Sequence, residues 1–219
     1  MNRYFFIVAA CAAALGLADV RPAAAVLITF NSDPAGSKAN GFVSVDSALV
    51  SFTDTIGADL QVGNFGSQNV SGNGLAVFSD DTSALQMNFT QLVNALSLVF
   101  GNDDQPFTGV PIDARLTLFN GATQVGQVTV QANGNDIADQ TIGFSGTSFD
   151  RATFQYINRT GANPAPLNLI EIVDNIEFTL APTGPNPGVV PAPAGLLLGL
   201  LGVVPAGALV RRRRAAAAA

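Results

Sequence analysis

The acidic and carboxamide side chains between residues 26 and 181 have the types and spacing that suit metal chemistry. Acids cluster at Asp80-Asp81 and Asn102-Asp103-Asp104, and Asp174 lies in a C-terminal strand pattern. Ca²⁺ takes six to eight oxygen ligands from carboxylates, Asn side chains and turn carbonyls. No EF-hand loop is present, and such runs also occur as turn residues that hydrogen-bond their own backbone. The sequence therefore predicts structural Ca²⁺ at Asp80, Asp81, Asp103, Asp104 and Asp174, with ordinary turns as the alternative.

Carboxylate catalysis is the second chemistry that these acids allow. Two-carboxylate glycoside hydrolysis needs an acid and a partner at a defined separation across the sugar. Residues 26–181 contain two glutamates, Glu171 and Glu177. If the strand that carries them is unbroken, both side chains lie on one face of it, and Asp174 lies on the opposite face. At ~3.3 Å per residue they lie about 20 Å apart, too far for that mechanism. We therefore expect a non-enzymatic protein, with a glycosidase or lyase built from acids of different strands as an alternative.

Several site classes are excluded by composition. The chain has no histidine, and its one cysteine, Cys11, lies in the N-terminal apolar segment. Ser-His-Asp and Cys-His nucleophile pairs and the usual His/Cys zinc sites are therefore excluded. Between residues 26 and 183 there are fifteen acids and four basic residues, a net charge of about −11. This charge disfavours nucleic acid as a partner, because phosphate binding uses clustered Lys and Arg.

Short strands are the elements that must position these residues. Apolar runs with β-branched or aromatic positions recur every 8 to 15 residues, separated by Gly, Asn, Asp and Ser. Residues 115–119 (RLTLF) alternate between a polar and an apolar face, and Asn120-Gly121 predicts a tight hairpin. The one helical candidate, 90–95, is too short to be more than a turn. The predicted strands are 26–30, 48–52, 74–78, 84–89, 96–100, 114–119, 124–130, 140–144, 152–156 and 175–180. The sequence thus predicts an all-β, antiparallel β-sandwich.

Segments 28–31 (ITFN) and 172–178 (IVDNIEF) carry a family resemblance. With 94–104 and 149–154, they resemble the jelly-roll β-sandwich domains of exported bacterial proteins and carbohydrate-binding modules. The resemblance implies that acids of the opening and closing strands lie near a structural calcium. Asn31 stands where such domains usually have Asp, and it joins the predicted ligands.

A sugar-binding face normally presents exposed aromatic platforms. The chain has no tryptophan, and most phenylalanines fall within strand patterns, where core packing is their commoner role. Phe107, beside Pro106 in a predicted loop, is the candidate aromatic contact. The alternative for Phe107 is a plug over the end of the sandwich.

The N-terminus predicts a secretory signal peptide. Arg3 supplies the positive charge, residues 4–17 are apolar, and Ala23-Ala24-Ala25 provides the small residues that signal peptidase requires. We expect cleavage after Ala25. The alternative is a lipobox at 8–11 that ends at a lipidated Cys11.

The C-terminus predicts a short membrane span. Five prolines between residues 182 and 193 favour an extended linker, and residues 194–210 are 17 consecutive uncharged residues. As a helix these residues span about 25 Å, slightly less than a ~30 Å hydrocarbon core. The four arginines Arg211, Arg212, Arg213 and Arg214 follow, and a basic cluster beside a span favours the cytoplasmic side.

The order of these C-terminal features carries a second resemblance. A V-P-x-P-A motif, an apolar segment and an arginine run resemble the PEP-CTERM class of bacterial sorting domain, in particular its V-P-L-P-A variant, with Ala192 in place of Leu. The motif residues are Val190, Pro191, Ala192, Pro193 and Ala194. The resemblance implies recognition by an exosortase-type transpeptidase in the inner membrane, which cuts near the motif and passes the body to the cell surface or outside.

Together these features predict a signal peptide (1–25), a jelly-roll-like β-sandwich (26–181), a proline-rich linker with the sorting motif (182–193), a transmembrane helix (194–210) and a basic cytoplasmic tail (211–219). We expect an exported, non-enzymatic cell-surface or extracellular-matrix protein that is anchored transiently in the inner membrane. The alternative is a carbohydrate-binding module for exopolysaccharide. The expected partners are signal peptidase, an exosortase-type enzyme, the inner membrane and exopolysaccharide, with no nucleic acid.

Overall fold

The computed structural model describes residues 25–66, 72–79, 81–101, 109–135, 137–160 and 164–182, and every regular element in these ranges is a β-strand. All the pairings between these strands are antiparallel, which confirms the predicted all-β antiparallel fold. The strands are β1 (Ala25–Ile28), β2 (Gly36–Lys38), β3 (Val50–Asp54), β4 (Leu60–Gly63), β5 (Gly74–Val77), β6 (Leu85–Gly101), β7 (Ile112–Asn120), β8 (Thr123–Gln131), β9 (Gln140–Asn158) and β10 (Glu171–Leu180).

Two long strands, β6 with 17 residues and β9 with 19, pair along their length and bend together. The register shifts between Asn88 and Val93 on β6, and again between Val93 and Ala95. The intervening Thr90, Gln91 and Leu92 are exposed. Extra residues of this kind break the ladder and bend the strand. The prediction of a helical turn at 90–95 is therefore wrong, because these residues form the corner of a bent strand.

Aromatic contacts show that the bend folds the sheet over itself. Phe100 pairs with Gln140 at one end of the β6–β9 ladder, and Phe154 lies fourteen residues further along β9. In a flat sheet, fourteen residues along β9 would separate Phe154 from the Phe100–Gln140 pair by about 45 Å. The ring centroids of Phe100 and Phe154 are nevertheless 5.6 Å apart, and Phe89 and Phe178 meet at 5.2 Å. The protein is therefore a two-layer sandwich with an aromatic core between the layers.

Each bent strand contributes to both layers. Sheet I contains β3, residues 85–89 of β6, residues 150–158 of β9, β7 and β8, in that order. Sheet II contains residues 140–145 of β9, residues 93–101 of β6, β10, β5, β4 and β2, with β1 paired to the C-terminal half of β10. Alternate residues of β7, Ala114, Leu116 and Leu118, are fully buried. The intervening residues therefore face outward from sheet I.

Most predicted strands are confirmed, but their number and limits differ. The predicted strands 84–89 and 96–100 are the two arms of β6, and 140–144 and 152–156 are the two arms of β9. Two strands were not predicted from the sequence: β2, with three residues, and β4, with four. Such short strands give too little alternation to be recognised.

The predicted hairpin joins β7 and β8, with a different pair of central residues. Asn120 pairs with Thr123, so Gly121 and Ala122 form the turn. Of the turn residues only Gly121 has a positive φ, 56°. This is the pattern of a type II′ turn, which places glycine first. Asn120 was expected inside the turn but is the last residue of β7.

The described strands lie in a unit that extends from Arg21 to Pro182 and is compact by itself. In the part of the chain that the structure describes, no helix is long and apolar enough to cross a membrane. Of the predicted signal peptide (1–25), residues 1–24 lie outside the described residues, as do the sorting motif (190–194), the membrane helix (194–210) and the arginines (211–214).

Candidate functional site

Three predicted calcium ligands lie in described segments, and the side chain of each accepts a hydrogen bond from a backbone N–H. The Asn31 side-chain oxygen accepts the Asn73 N–H at 2.8 Å. Asp81 accepts the Ser83 N–H at 2.7 Å, the turn that was the alternative to metal binding. Asp174, only 1% exposed, accepts the Asn175 N–H at 2.6 Å. The other predicted ligands, Asp80, Asp103 and Asp104, lie outside the described residues, as does Phe107.

The face predicted for the two glutamates is wrong. From Asp174 to Glu177 the β10 strand advances three residues while its partner β6 advances two, from Val99 to Ser97. This extra residue on β10 forms a β-bulge, in which Asn175 has a φ of 46°. The bulge reverses which side chains of β10 face the core from that point onward. Glu171 is therefore fully buried while Glu177 is exposed on the outer side of sheet II.

Glu171 lies near Asp81 and Asp54, and Asp54 lies near Asp59; we call these four residues the acidic cluster. Glu171 has 0% exposure, and neither carboxylate oxygen makes a hydrogen bond of normal geometry. Burial raises the pKa of Glu171 well above its ordinary value of 4.5; backbone N–H groups of Glu171 and Tyr156 oppose this, and Asp81 and Asp54 add to it. An unpartnered buried carboxylate favours its neutral, protonated form.

Asp54 enters the cluster from the last residue of β3. It is 2% exposed, and its Oδ1 accepts the Ile56 N–H at 3.0 Å while its Oδ2 has no partner. Burial raises the pKa of Asp54, the Ile56 N–H lowers it, and Asp59 raises it.

The described residues contain no ready-made metal site. Among residues 25–66, 72–79, 81–101, 109–135, 137–160 and 164–182, no three metal-ligating side chains are arranged to hold an ion as they stand.

The outer side of sheet I is lined by hydroxyl, amide and guanidinium groups, with one aromatic ring and, near the start of β7, the carboxylate of Asp113. Directly opposed residues share one side of a sheet, so the strand registers place these groups together. Arg115 lies opposite Gln155 and Thr129, and Thr117 lies opposite Thr153. We call this surface the polar face: Ser51, Thr53, Gln86, Asn88, Arg115, Thr117, Phe119, Gln127, Thr129, Arg151, Thr153 and Gln155.

Three donors of the polar face are buried and have no hydrogen-bond partner. They are the Nε atoms of Arg115 and Arg151 and the Nε2 atom of Gln155. Burial lowers the pKa of Arg115 from its ordinary value, although a guanidinium stays charged at neutral pH. The three side chains as a whole are half-buried, so a ligand would meet their exposed atoms and not these shielded ones.

Phe119 is the aromatic residue of the polar face. It lies opposite Arg151, whose guanidinium carbon lies 4.4 Å from the ring centroid. This cation–π contact orients the arginine while one nitrogen, Nη2, donates to the Gly121 carbonyl at 3.3 Å. The sequence had predicted Phe107, not Phe119, as the aromatic contact for a sugar. The alternation of 115–119 was the available signal, because it places Phe119 on the side of Arg115 and Thr117.

Positive charge is concentrated around sheet I. Of the four basic residues between 26 and 183, Arg115 and Arg151 lie on the polar face and Arg159 lies at its edge. Arg159 pairs with Asp113 at 3.7 Å, which is the only ion pair recorded among the described side chains. Arg115 and Arg151 therefore have no carboxylate partner within the described ranges.

Sheet II has a different outer surface. A shallow groove of about 340 Å³ lies between β6, β9 and β10, and its polar side chains are Ser97, Ser145, Thr179 and Glu177. Its one charged group is acidic. The charged group of this groove is therefore opposite in sign to the two arginines of the polar face.

No protein-family model and no curated protein matches the chain. Among solved structures, the chain is similar to a DUF4465 family protein from Bacteroides caccae ATCC 43185, with 10% identity and a TM-score of 0.42 over 71% of this chain and 99% of the other. It is also similar to the CBM32 of AlyQ in complex with 4,5-unsaturated mannuronic acid (14%, 0.34, over 59% and 94%) and to the xylan-binding module CBM15 (11%, 0.34, over 74% and 100%). At TM-scores below 0.5 these similarities assign no function to this chain.

Proposed function

We propose that the chain is an exported, non-enzymatic surface or matrix protein whose sandwich binds a polysaccharide through the polar face. The observation that carries the binding proposal is that the half-buried Arg115, Arg151 and Gln155 lie on one outer surface, and that neither arginine has an ion-pair partner among the described side chains. Sugars offer hydroxyl and ring oxygens as acceptors, and Phe119 adds an apolar surface among these donors.

The start of the first strand supports export by way of a cleaved signal peptide. Ala25 pairs with Thr179, and Val26 pairs with Phe178. Cleavage after Ala25 therefore removes one exposed strand residue and leaves Val26 paired. The same pairing brings the start of the body beside its C-terminal end, from which the proline-rich linker departs.

Glycan-array binding by residues 26–182 tests the binding proposal. This segment contains every described strand except the first residue of β1. We expect binding to polysaccharide that weakens in Gln155→Ala and Thr153→Ala. Ser97→Ala, in the groove of sheet II, is the matched control and should bind as the unchanged protein does. Binding that the control abolishes and the polar-face variants retain would contradict the proposal.

Sorting by an exosortase-type enzyme is tested by mass spectrometry of protein released from the cell surface. We expect a C-terminus between Pro191 and Ala194. Recovery of intact Arg211 to Arg214 on most molecules would instead indicate a simple tail anchor. Replacement of Pro191 and Pro193 by Ala should keep the protein in the membrane fraction.

Structural calcium remains a proposal for the acidic residues around Asp81 and at 102–104. It is supported by the proximity of Asp81 to the unpartnered Glu171 carboxylate, where a cation would offset the repulsion between these acids. Millimolar Ca²⁺ should raise the melting temperature of residues 26–182 relative to EDTA. An unchanged melting temperature would refute it.

A further inference from the structure

We propose that the ligand of the polar face is an acidic polysaccharide whose anionic groups pair with Arg115 and Arg151. This inference rests on the proposed polysaccharide binding and names the class of polysaccharide. Both arginines lie on the same outer surface of sheet I, and both side chains are half-buried there with no ion-pair partner among the described residues.

The distribution of charge favours an anionic ligand. The body has fifteen acids against four basic residues, yet two of those four lie on this one surface. An arginine beside an acid would be satisfied internally, as Arg159 is by Asp113. Arg115 and Arg151 have no such acid among the described side chains, so their charge is left to a partner from outside.

The spacing of the two arginines suits a chain that carries separated charges. Arg115 lies opposite Gln155, and Arg151 is four residues from Gln155 on β9, about 13 Å along the strand. Between them the polar face presents hydroxyl and amide groups, Thr117 and Thr153 among them. Anionic groups separated by neutral hydroxyls therefore match this surface.

The same features disfavour nucleic acid. Phosphate backbones carry closely spaced charges and are bound by clustered Lys and Arg. Two arginines about 13 Å apart, in a body with a net charge of about −11, form no such cluster. A uniform polyanion would be repelled by most of the surface. Binding of an acidic polysaccharide therefore has to be local to the polar face.

Affinity electrophoresis of residues 26–182 at about 150 mM salt tests this inference, because that salt screens long-range attraction. The gels contain alginate, polygalacturonate, dextran sulfate, neutral dextran or polyglutamate. We expect retardation by an acidic polysaccharide and none by dextran or polyglutamate. Alginate or polygalacturonate identifies carboxylate groups as the source of the charge, and dextran sulfate identifies sulfate esters.

Variants assign the binding to the two arginines. Arg115→Gln and Arg151→Gln should each raise the dissociation constant about tenfold or more, the loss expected for one charge-assisted contact. Arg159→Gln removes a charge that Asp113 already compensates, and it should stay within about twofold. Melting temperatures close to that of the unchanged protein show that the variants fold.

These measurements separate failure of this inference from failure of the proposed polysaccharide binding. The inference is overturned if the protein binds only neutral glycans. It is also overturned if the Arg115→Gln/Arg151→Gln double variant still binds an acidic polysaccharide as the unchanged protein does. Either result leaves polysaccharide binding in place. Equal retardation by polyglutamate also overturns it, because charge alone would then explain the binding. No binding to any polysaccharide overturns the proposed function itself.

Discussion

The polar face and the acidic cluster both contain polar groups without partners, but they differ in charge and in exposure. The polar face holds Arg115 and Arg151, half-buried on the outer side of sheet I. The acidic cluster holds Glu171 and Asp54, buried and almost inaccessible. An outside ligand can reach the exposed parts of the two arginine side chains, whereas the buried carboxyl groups can respond by taking up protons.

Accessibility therefore decides what an unpartnered group can do. A buried carboxylate without a partner destabilises the folded state when it ionises. A half-buried guanidinium keeps part of its hydration and stays charged, so it costs the fold less and remains available for a ligand. The comparison predicts that changes in the acidic cluster alter stability and that changes in the polar face alter binding.

The largest expected effect on stability is that of Glu171→Leu. The substitution removes an unpartnered buried carboxyl group and keeps a similar side-chain volume, so we expect the free energy of unfolding at neutral pH to rise by about 1–3 kcal/mol. Urea denaturation in EDTA measures it. The matched control is Glu177→Gln, an exposed acid of the same strand, which should stay within about 0.5 kcal/mol. A clear destabilisation by Glu171→Leu would mean that the carboxylate has a stabilising partner.

The pH dependence of stability should reveal the same cluster. Because the pKa of Glu171 is raised in the folded state, its contribution is fully present below the unfolded value of about 4.5 and is lost as pH rises through the folded pKa. Asp54 acts in the same direction. Asp139, whose pKa is lowered by Asn135 and Asn133, acts in the opposite direction but is exposed.

We therefore expect the free energy of unfolding to fall as pH rises above about 4.5, and Glu171→Gln to reduce that slope. Denaturation series at several pH values measure it. A slope that Glu171→Gln leaves unchanged would place the titrating group elsewhere.

A smaller effect is expected for Arg151→Leu without ligand. The variant loses the cation–π contact with Phe119 and the hydrogen bond to Gly121, which together are worth about 1 kcal/mol at a partly exposed site. Thermal denaturation measures the change, which should not vary with pH between 5 and 8 because arginine does not titrate there. A pH-dependent change in that range would contradict the assignment.

The smallest effect is expected for Arg115→Leu without ligand. Arg115 has no ion-pair partner among the described residues, so the change in unfolding free energy should stay within about 0.5 kcal/mol. Loss of binding together with unchanged stability would sharpen the contrast with Glu171. A strong destabilisation would mean that Arg115 supports the fold.

The alternation of residues 115–119 was visible in the sequence and correctly separated the outer Arg115 and Thr117 from the buried Leu116 and Leu118. The neighbours of Arg115 were not visible, because the pairing with Gln155 joins residues 40 positions apart. The sequence also did not predict the acidic cluster, because its members Asp54, Asp81 and Glu171 come from distant parts of the chain. The predicted ligand Asp174 instead accepts a hydrogen bond from the N–H of the next residue, Asn175.

The sequence by itself determined the strand composition, the hairpin at Gly121 and the excess of acids over bases, because each depends on residue type and local alternation. Only the tertiary structure decided where β6 and β9 bend and that a bulge at Asn175 separates Glu171 from Glu177. It also decided which residues lie beside the two arginines. Bends, bulges and strand order depend on how distant side chains pack in the core, and no local pattern contains that information.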